Sequence, residues 1–145
     1  MPGLTYSLNI VARCTQMQRG QKLKELGIGG GQVPYLLRLN RFPGITQEEL
    51  AKMLYVNKST AARQLASLVK SELVERRPSE TDRRCLKLYL TDKGRDALPE
   101  VRKVIGEWNE YLLEGLSEEE RASLLDMMAR LSGRAQEYID REEWT

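Results

Sequence analysis

Histidine is absent from this chain of 145 residues, and cysteine occurs only at Cys14 and Cys85. Histidine is the commonest general base near neutral pH and a frequent ligand of metal ions, so its absence argues against hydrolytic or zinc-dependent catalysis. Two cysteines far apart in sequence are too few for a disulfide scaffold. We therefore expect a protein that is not an enzyme and that holds neither a metal ion nor another cofactor.

Long apolar runs are also missing, since no stretch approaches the ~20 apolar residues that cross a bilayer. The N-terminal residues do not have the basic and then apolar order of a secretory signal. The glycines at 29–31 are not followed by Gly-Lys-Ser/Thr, which excludes a phosphate-binding loop of that type. We expect a cytoplasmic protein without a membrane partner.

The charge that is present is unevenly distributed. The whole chain carries a net charge of +2, but residues 57–95 hold ten Lys and Arg against five acidic residues. Residues 114–145 hold four Arg against nine acidic residues. A basic middle and an acidic end indicate one surface that attracts a polyanion and one that avoids it.

Two short helices are predicted in the middle of the chain. Thr46 and Glu49 have the spacing of a capping box, which predicts a helix to about Leu54. Asn57 can cap a second helix, whose inward residues are Ala61, Leu65, Leu68 and Val69. Two short helices joined by a tight turn form a helix-turn-helix unit.

A β-hairpin is predicted directly after this unit. Residues 73–78 read as one strand, and residues 86–90 alternate as a second, with three leucines expected to face inward: Leu86, Leu88 and Leu90. A charged hairpin in this place is a wing. The predicted fold is mainly α (α+β), a winged helix-turn-helix with additional helices at both ends.

Apolar stripes on these terminal helices predict a second copy of the chain as a partner. The first helix has one at Leu4, Leu8, Val11, Cys14 and Met17. We expect a single domain over residues 1–145, with a DNA-binding part at 30–95 and dimerisation helices at 1–26 and 96–145. Packing within one chain is the alternative. Cys14, on the apolar stripe, is expected to be buried and inert.

The second helix of a helix-turn-helix enters the major groove with its N-terminal residues at the base edges. Arg63 can pair with guanine and Gln64 with adenine, while Lys58 suits a phosphate. The predicted contacts to double-stranded DNA are Asn57, Lys58, Ser59, Thr60, Arg63 and Gln64. A polar helix face that merely meets water is the alternative.

The wing tip contains three candidate residues, Asp82, Arg83 and Arg84. An arginine at a hairpin tip can enter an A·T-rich minor groove, where the potential is most negative. Asp82 is expected to brace one arginine by a charge-assisted hydrogen bond and to leave the other free.

The run Thr46-Gln47-Glu48-Glu49-Leu50-Ala51, then Asn57-Lys58-Ser59-Thr60, Asp82-Arg83-Arg84 and Leu90-Thr91-Asp92-Lys93-Gly94, resembles the MarR family of regulators. The resemblance implies a homodimer on a pseudo-palindromic operator, with Arg84 as the arginine that reaches the minor groove. Such sequences usually carry glycine just before the first wing strand. Here Glu72 stands there, at a cost of about 1 kcal/mol if the backbone is left-handed.

The resemblance also implies a site for a small aromatic effector, to which Arg13, Met17 and Tyr35 would contribute; ordinary packing is the other interpretation. Cys85, placed on the wing strand among cations, is a candidate for redox sensing. A repressor that blocks transcription by occupying its site is favoured, because no further domain is present to recruit polymerase. The alternatives are an activator of the same family and a winged-helix module for protein contacts.

Overall fold

The computed structural model describes residues 3–142, which form six α-helices, a short 3₁₀ helix at Lys24–Leu26 and two strands. The helices are α1 (Leu4–Lys22), α2 (Val33–Arg41), α3 (Gln47–Leu54), α4 (Lys58–Lys70), α5 (Asp92–Leu113) and α6 (Glu118–Arg141), and the strands are β1 (Val74–Pro78) and β2 (Leu86–Leu90). This order confirms the predicted winged helix-turn-helix. The described residues up to Trp108 form one compact unit, and those from Asn109 onward form a second.

Capping boxes begin two of the helices, and the one at α3 is the box that the sequence predicted. At α3 the Thr46 hydroxyl accepts the Glu49 N–H at 3.1 Å, and Glu49 Oε1 accepts the Thr46 N–H at 3.0 Å. Ser117 and Glu120 make the same reciprocal pair at the start of α6. Each box satisfies two backbone donors that the first turn of a helix would otherwise leave without partners.

The two strands form the antiparallel hairpin, with Val74 opposite Leu90 and Pro78 opposite Leu86. The Leu88 N–H also donates to the Ile45 carbonyl at 2.9 Å, which ties the hairpin to the segment before α3. Leu88 and Leu90 are buried, but Leu86 is 44% exposed. The prediction that all three leucines face the core is therefore wrong at Leu86, because β2 begins beyond the edge of the core.

The core of the first unit is built from apolar residues of α2, α3, α4, the hairpin and α5. In α4 the completely buried residues are Ala61, Leu65 and Leu68, whereas Val69 is only half-buried. The inward face of α4 is thus the predicted one, with Val69 at its margin. Burial of these side chains fixes which face of α4 remains outside.

Among the described residues, two helices contain no fully buried residue: α1 and α6. In α1, Met17 is 74% exposed and Leu4 is 58% exposed, and Cys14 is exposed with them. The prediction that Cys14 is buried is wrong for the single chain, because its apolar stripe is not covered. Within residues 3–142, no helix combines the length and apolar character needed to span a membrane.

Candidate nucleic-acid interface

The N-terminus of α4 is exposed and closely capped. Asn57 Oδ1 accepts the Thr60 N–H at 2.7 Å and the Ser59 hydroxyl at 2.8 Å. These bonds hold the first turn in one geometry. They leave the Asn57 amide as a donor and the Ser59 oxygen as an acceptor for a ligand. The positive end of the helix dipole favours a phosphate here.

Two cations stand on this exposed part of α4. The Lys58 side chain is 82% exposed, and its Nζ lies 3.9 Å from Glu48 Oε1 in α3. Arg63 is exposed one turn further on, with its Nη2 3.4 Å from Thr60 Oγ1. A contact this long is weak, so the guanidinium retains most of its five donors for bases or phosphates.

Gln64 lies differently from the other predicted contacts. It is half-buried, and its Nε2 would be 3.3 Å from a Cβ atom placed on Gly31. The Gln64 amide therefore lies beside the loop before α2. Arg63 and Gln64 are adjacent in sequence, but in this structure only Arg63 stands on the exposed face.

The exposed ridge of α4 extends beyond the contact residues predicted from the sequence. Ser59 and Arg63 continue at steps of three and four into Ala66 and Lys70, and all four residues are exposed. The helical period of 3.6 residues could have identified the last two, since they repeat the spacing of the first two. The ridge ends in a cation that can lie beside the sugar-phosphate backbone.

The wing tip is an ordered turn. Asp82 Oδ1 accepts the Arg84 N–H at 3.0 Å and lies 3.4 Å from Arg84 Nε, and the Cys85 N–H donates to the Asp82 carbonyl at 3.0 Å. The Arg84 side chain is nevertheless 94% exposed. Asp82 thus braces Arg84 mainly through the backbone N–H, with a longer ionic contact to Nε, while Arg83 is exposed beside it. One arginine is braced, as expected.

A second arginine pairing stiffens the stem of the wing. The Arg77 guanidinium lies 4.3 Å from the centre of the Tyr89 ring on the opposite strand and bonds to Glu75. A cation over an aromatic face attracts the ring quadrupole. Arg77 is therefore engaged within the stem, and the tip arginines are the more available cations.

The C-terminal end of α4 requires a left-handed backbone at Glu72, the residue before the wing. Glu72 has φ +63°, the left-handed conformation usually taken by glycine. The Glu72 N–H donates to the Val69 carbonyl at 3.0 Å, and the Leu73 N–H donates to the Leu68 carbonyl at 3.0 Å. These two bonds form a Schellman motif, so α4 ends in the standard way despite the strain at Glu72.

The start of α5 packs closely on this motif. A Cβ atom on Gly94 would lie 2.2 Å from the Leu73 carbonyl oxygen, so only glycine fits there. The Lys93 ammonium donates to the Ser71 carbonyl at 2.9 Å. The Leu-Thr-Asp-Lys-Gly segment, part of the family resemblance, therefore fixes the end of α4 to the base of the wing.

The three residues predicted for an effector site differ in their surroundings. Tyr35 is 3% exposed, and its hydroxyl has no hydrogen-bond partner among residues 3–142. Burial raises the pKa of the Tyr35 hydroxyl, and the positive charge of Arg63 opposes this shift. Arg13 and Met17 are both exposed, four residues apart on α1. An open cavity of about 320 Å³ lies elsewhere, lined by Leu26, Leu73, Lys93, Asp96 and Ala97.

Cys85 immediately precedes β2 and is half-buried. The prediction placed it on the strand itself, whereas its carbonyl accepts the Ser79 N–H at 2.8 Å and closes the tip. Over residues 3–142, the cysteines and carboxylates form no group of three or more that could hold a metal ion.

Comparison with known proteins adds three findings. The family model described as "MarR family" matches residues 26–84. The HTH-type transcriptional regulator YybA of Bacillus subtilis is 30% identical over 131 residues, which are 90% of this chain and 87% of YybA. A MarR transcriptional regulator from Methanosarcina mazei is 32% identical, with a TM-score of 0.87 over 92% of this chain and 96% of its own.

A further structural neighbour is in complex with nucleic acid. It is a putative MarR family transcriptional regulator from Listeria monocytogenes, crystallised with a 26mer DNA. Its TM-score is 0.85 over all of this chain and 99% of its own, at 24% identity. At this identity the likeness concerns the fold.

Proposed function

This chain belongs to the MarR family and is a DNA-binding transcriptional regulator, and we propose that it acts as a repressor, as a homodimer on a pseudo-palindromic operator. The observation that carries the proposal is the exposed basic surface made by α4 and the wing tip. Arg63 stands on the outer face of α4, and Arg84 is 94% exposed while Asp82 holds it.

The proposed DNA contacts fall into two groups. On α4, Arg63 reads a base edge in the major groove, whereas Lys58, Ser59 and Thr60 bind phosphates near the helix N-terminus. Asn57 holds that terminus and offers its amide, and Gln64 contacts adenine after turning away from Gly31. On the wing, Arg84 enters the minor groove with Asp82 as its brace, and Arg83 binds the adjacent backbone.

Support for the homodimer comes from the apolar residues that the single chain leaves uncovered. Neither α1 nor α6 has a fully buried residue, and their exposed apolar side chains include Leu4, Val11, Met17, Leu125, Leu131 and Tyr138. Large exposed apolar patches on a regulator mark interfaces. A two-fold dimer covers the same surface on both copies and presents two α4 helices to half-sites about 34 Å apart.

Repression is proposed because α4 and the wing, once bound, occupy promoter DNA. The exposed basic surface of α4 and the wing tip supports this mechanism, which requires contacts to DNA alone. Activation through a surface contact with polymerase is the alternative. We place the protein in the cytoplasm, where operator DNA lies in bacteria and archaea such as the sources of its relatives.

We also propose that a small aromatic acid releases the protein from DNA through Arg13, Met17 and Tyr35. The support is chemical: a guanidinium pairs with a carboxylate, and in the described part of the chain the buried Tyr35 hydroxyl lacks a hydrogen-bond partner. Since Met17 is 74% exposed in the single chain, a second copy has to complete this site. Oxidation of the Cys85 thiol by a hydroperoxide, which forms a sulfenic acid and releases water or an alcohol, is a separate proposal for release, because Cys85 lies at the wing tip and its carbonyl closes that tip.

The experiment is transcription in vitro from a promoter that overlaps the operator, with sedimentation to count the chains bound. A repressor lowers transcript as the protein is added, and two chains sediment with each duplex. Increased transcript indicates the activator. If Arg63→Ala and Arg84→Ala kept both binding and repression, the proposed contacts would be contradicted. Benzoate, the simplest aromatic carboxylate, tests release. Alkylation of Cys85 in a Cys14→Ser variant tests the redox proposal, because Cys14 is exposed as well.

A further inference from the structure

Gln32 is the one residue with an amide or charged side chain in the buried set of residues 3–142, at 6% exposed. Its Oε1 accepts the Gly29 N–H at 2.7 Å, and its Nε2 donates to the Ser67 hydroxyl of α4 at 3.0 Å. A buried amide needs such partners, whereas an aliphatic side chain of similar volume would not. The two directional bonds therefore distinguish glutamine from leucine at this position.

The loop that Gln32 closes is fixed against α1. A Cβ atom on Gly30 would lie 1.9 Å from the Gln16 carbonyl oxygen, and one on Gly20 would lie 3.5 Å from the Gly30 nitrogen. The backbone of the loop thus rests directly on the backbone of α1. The Gln32 N–H adds a bond to the Gly29 carbonyl at 3.0 Å, which closes the loop from the other side.

The same loop meets α4 on its opposite side. Gly31 lies against the Gln64 amide, and Gln32 bonds to Ser67 one turn further along the helix. Residues 29–32 therefore connect α1, which the proposed dimer uses, with α4, which the proposed dimer presents to DNA. This connection runs through a hydrogen bond and not only through apolar packing.

We propose that Gln32 is a positioning residue: through Ser67 it fixes the place of α4 relative to α1, and thereby sets the spacing of half-sites that the dimer accepts. This inference rests on the proposed homodimer. Packing at Ala61, Leu65 and Leu68 holds α4 on the core, but apolar burial has no direction and permits small shifts. Because each copy carries the same bond, a shift of α4 occurs in both copies, and both shifts change the distance between the two α4 helices.

The test compares operator duplexes whose half-site spacing is changed by one or two base pairs. The wild-type protein is expected to bind the best spacing much more tightly than the others. In Ser67→Ala, affinity for the best spacing falls by about three- to tenfold, the effect of one lost hydrogen bond. In Gln32→Leu, which also loses the bond from the Gly29 N–H, affinity falls at least as far. Affinity for the altered spacings falls less, so the ratio of affinities between the best spacing and the altered spacings becomes smaller. Ser67→Ala removes a surface hydroxyl, and thermal unfolding verifies that both variants are folded.

Two matched variants separate positioning from stability. Asn40→Leu replaces an exposed amide of α2 by leucine outside the proposed contacts to DNA and to the second copy, and the preference for spacing is expected to stay as in the wild type. Val101→Ala truncates a completely buried side chain of α5, so it lowers the melting temperature. It should leave the ratio of affinities between the spacings unchanged. The double variant Gln32→Leu/Ser67→Ala should match Gln32→Leu, since the bond is already lost.

A uniform loss of affinity at all spacings in Gln32→Leu and Ser67→Ala, as expected of a destabilised protein, would overturn the inference. A wild-type protein that binds DNA with no preference for spacing would instead overturn the proposed paired half-sites. The two failures are distinguishable because the second appears before any substitution is made.

Discussion

The hydroxyl of Thr91 donates a 2.6 Å hydrogen bond to the backbone carbonyl of Glu72. Thr91, the first residue after the wing, is thereby joined to Glu72, which lies just beyond the end of α4. The same oxygen accepts the Gly94 N–H at 3.0 Å and so caps α5. The Thr91 N–H donates to the Leu73 carbonyl at 3.1 Å. Through the side chain and the backbone N–H of this one residue, the end of α4, the base of the wing and the start of α5 are held together.

Replacing Thr91 by valine tests this junction. The substitution keeps the shape but removes both side-chain hydrogen bonds, so the free energy of unfolding should fall by about 1–3 kcal/mol. Thr91→Ser retains the hydroxyl and should lose much less. Urea unfolding measures both. Equal stability of the valine variant and the wild type would mean that the junction contributes nothing.

Glu72→Gly should stabilise the protein. The left-handed backbone at Glu72, φ +63°, strains a residue with a Cβ atom, and glycine removes the strain, which is worth about 1 kcal/mol. Glu72→Ala is the matched control, because it removes the carboxylate but keeps the Cβ atom, and it should give no such gain. If alanine stabilises as much as glycine, the charge and not the backbone is the cause.

Features with signals close together in sequence were predictable. Thr46 and Glu49 are three residues apart, so the start of α3 could be identified from the sequence and is confirmed. The order of helices and hairpin followed in the same way. The strained conformation of Glu72 was foreseen only through the family resemblance.

Features that depend on distant contacts were not predictable. Cys14 and Leu86 were expected to be buried but are exposed. Apolar periodicity indicates which residues share a face, but not whether the same chain covers that face. Gln32 and Ser67 are 35 residues apart, and no local pattern indicates their bond. The position of Gln64 beside Gly31 likewise depends on how a loop packs on α4.

The two arginines proposed to bind DNA should respond differently to substitution. Arg63→Ala should cost about 1–3 kcal/mol of binding free energy and relax base preference at one operator position. Arg84→Ala should weaken binding mainly where the flanking minor groove is A·T-rich. Fluorescence anisotropy at several salt concentrations measures both. Arg130→Ala, in an exposed pair with Asp126 on α6, is the control and should bind like the wild type.

The capping box of α3 should make a small contribution to acid sensitivity. The Thr46 N–H, and then its hydroxyl, hold the pKa of Glu49 below its ordinary value. The stabilisation by the ionised carboxylate is therefore present above about pH 4.5 and is lost as the pH falls through the lowered pKa. Because Glu49 is exposed and screened, the effect is less than about 1 kcal/mol.

Glu49→Gln isolates this contribution. Glutamine does not ionise, so the difference in unfolding free energy between the wild type and the variant should shrink as the pH falls from 6 to 3. Denaturation followed by circular dichroism at each pH measures the difference. A difference that stays constant over this range would assign the effect of the substitution to something other than ionisation.

Selection of bound duplexes from a random pool by the wild-type protein tests the central claim most directly. A dimer that reads DNA with α4 and the wing should enrich two inverted half-sites whose centres lie about one helical turn apart. The enriched duplex should bind at least ~10³-fold more tightly than unrelated DNA, with a strong dependence on salt. Enrichment of a single undivided site would contradict the homodimer. No enrichment, with no binding at low salt, would contradict sequence-specific recognition itself.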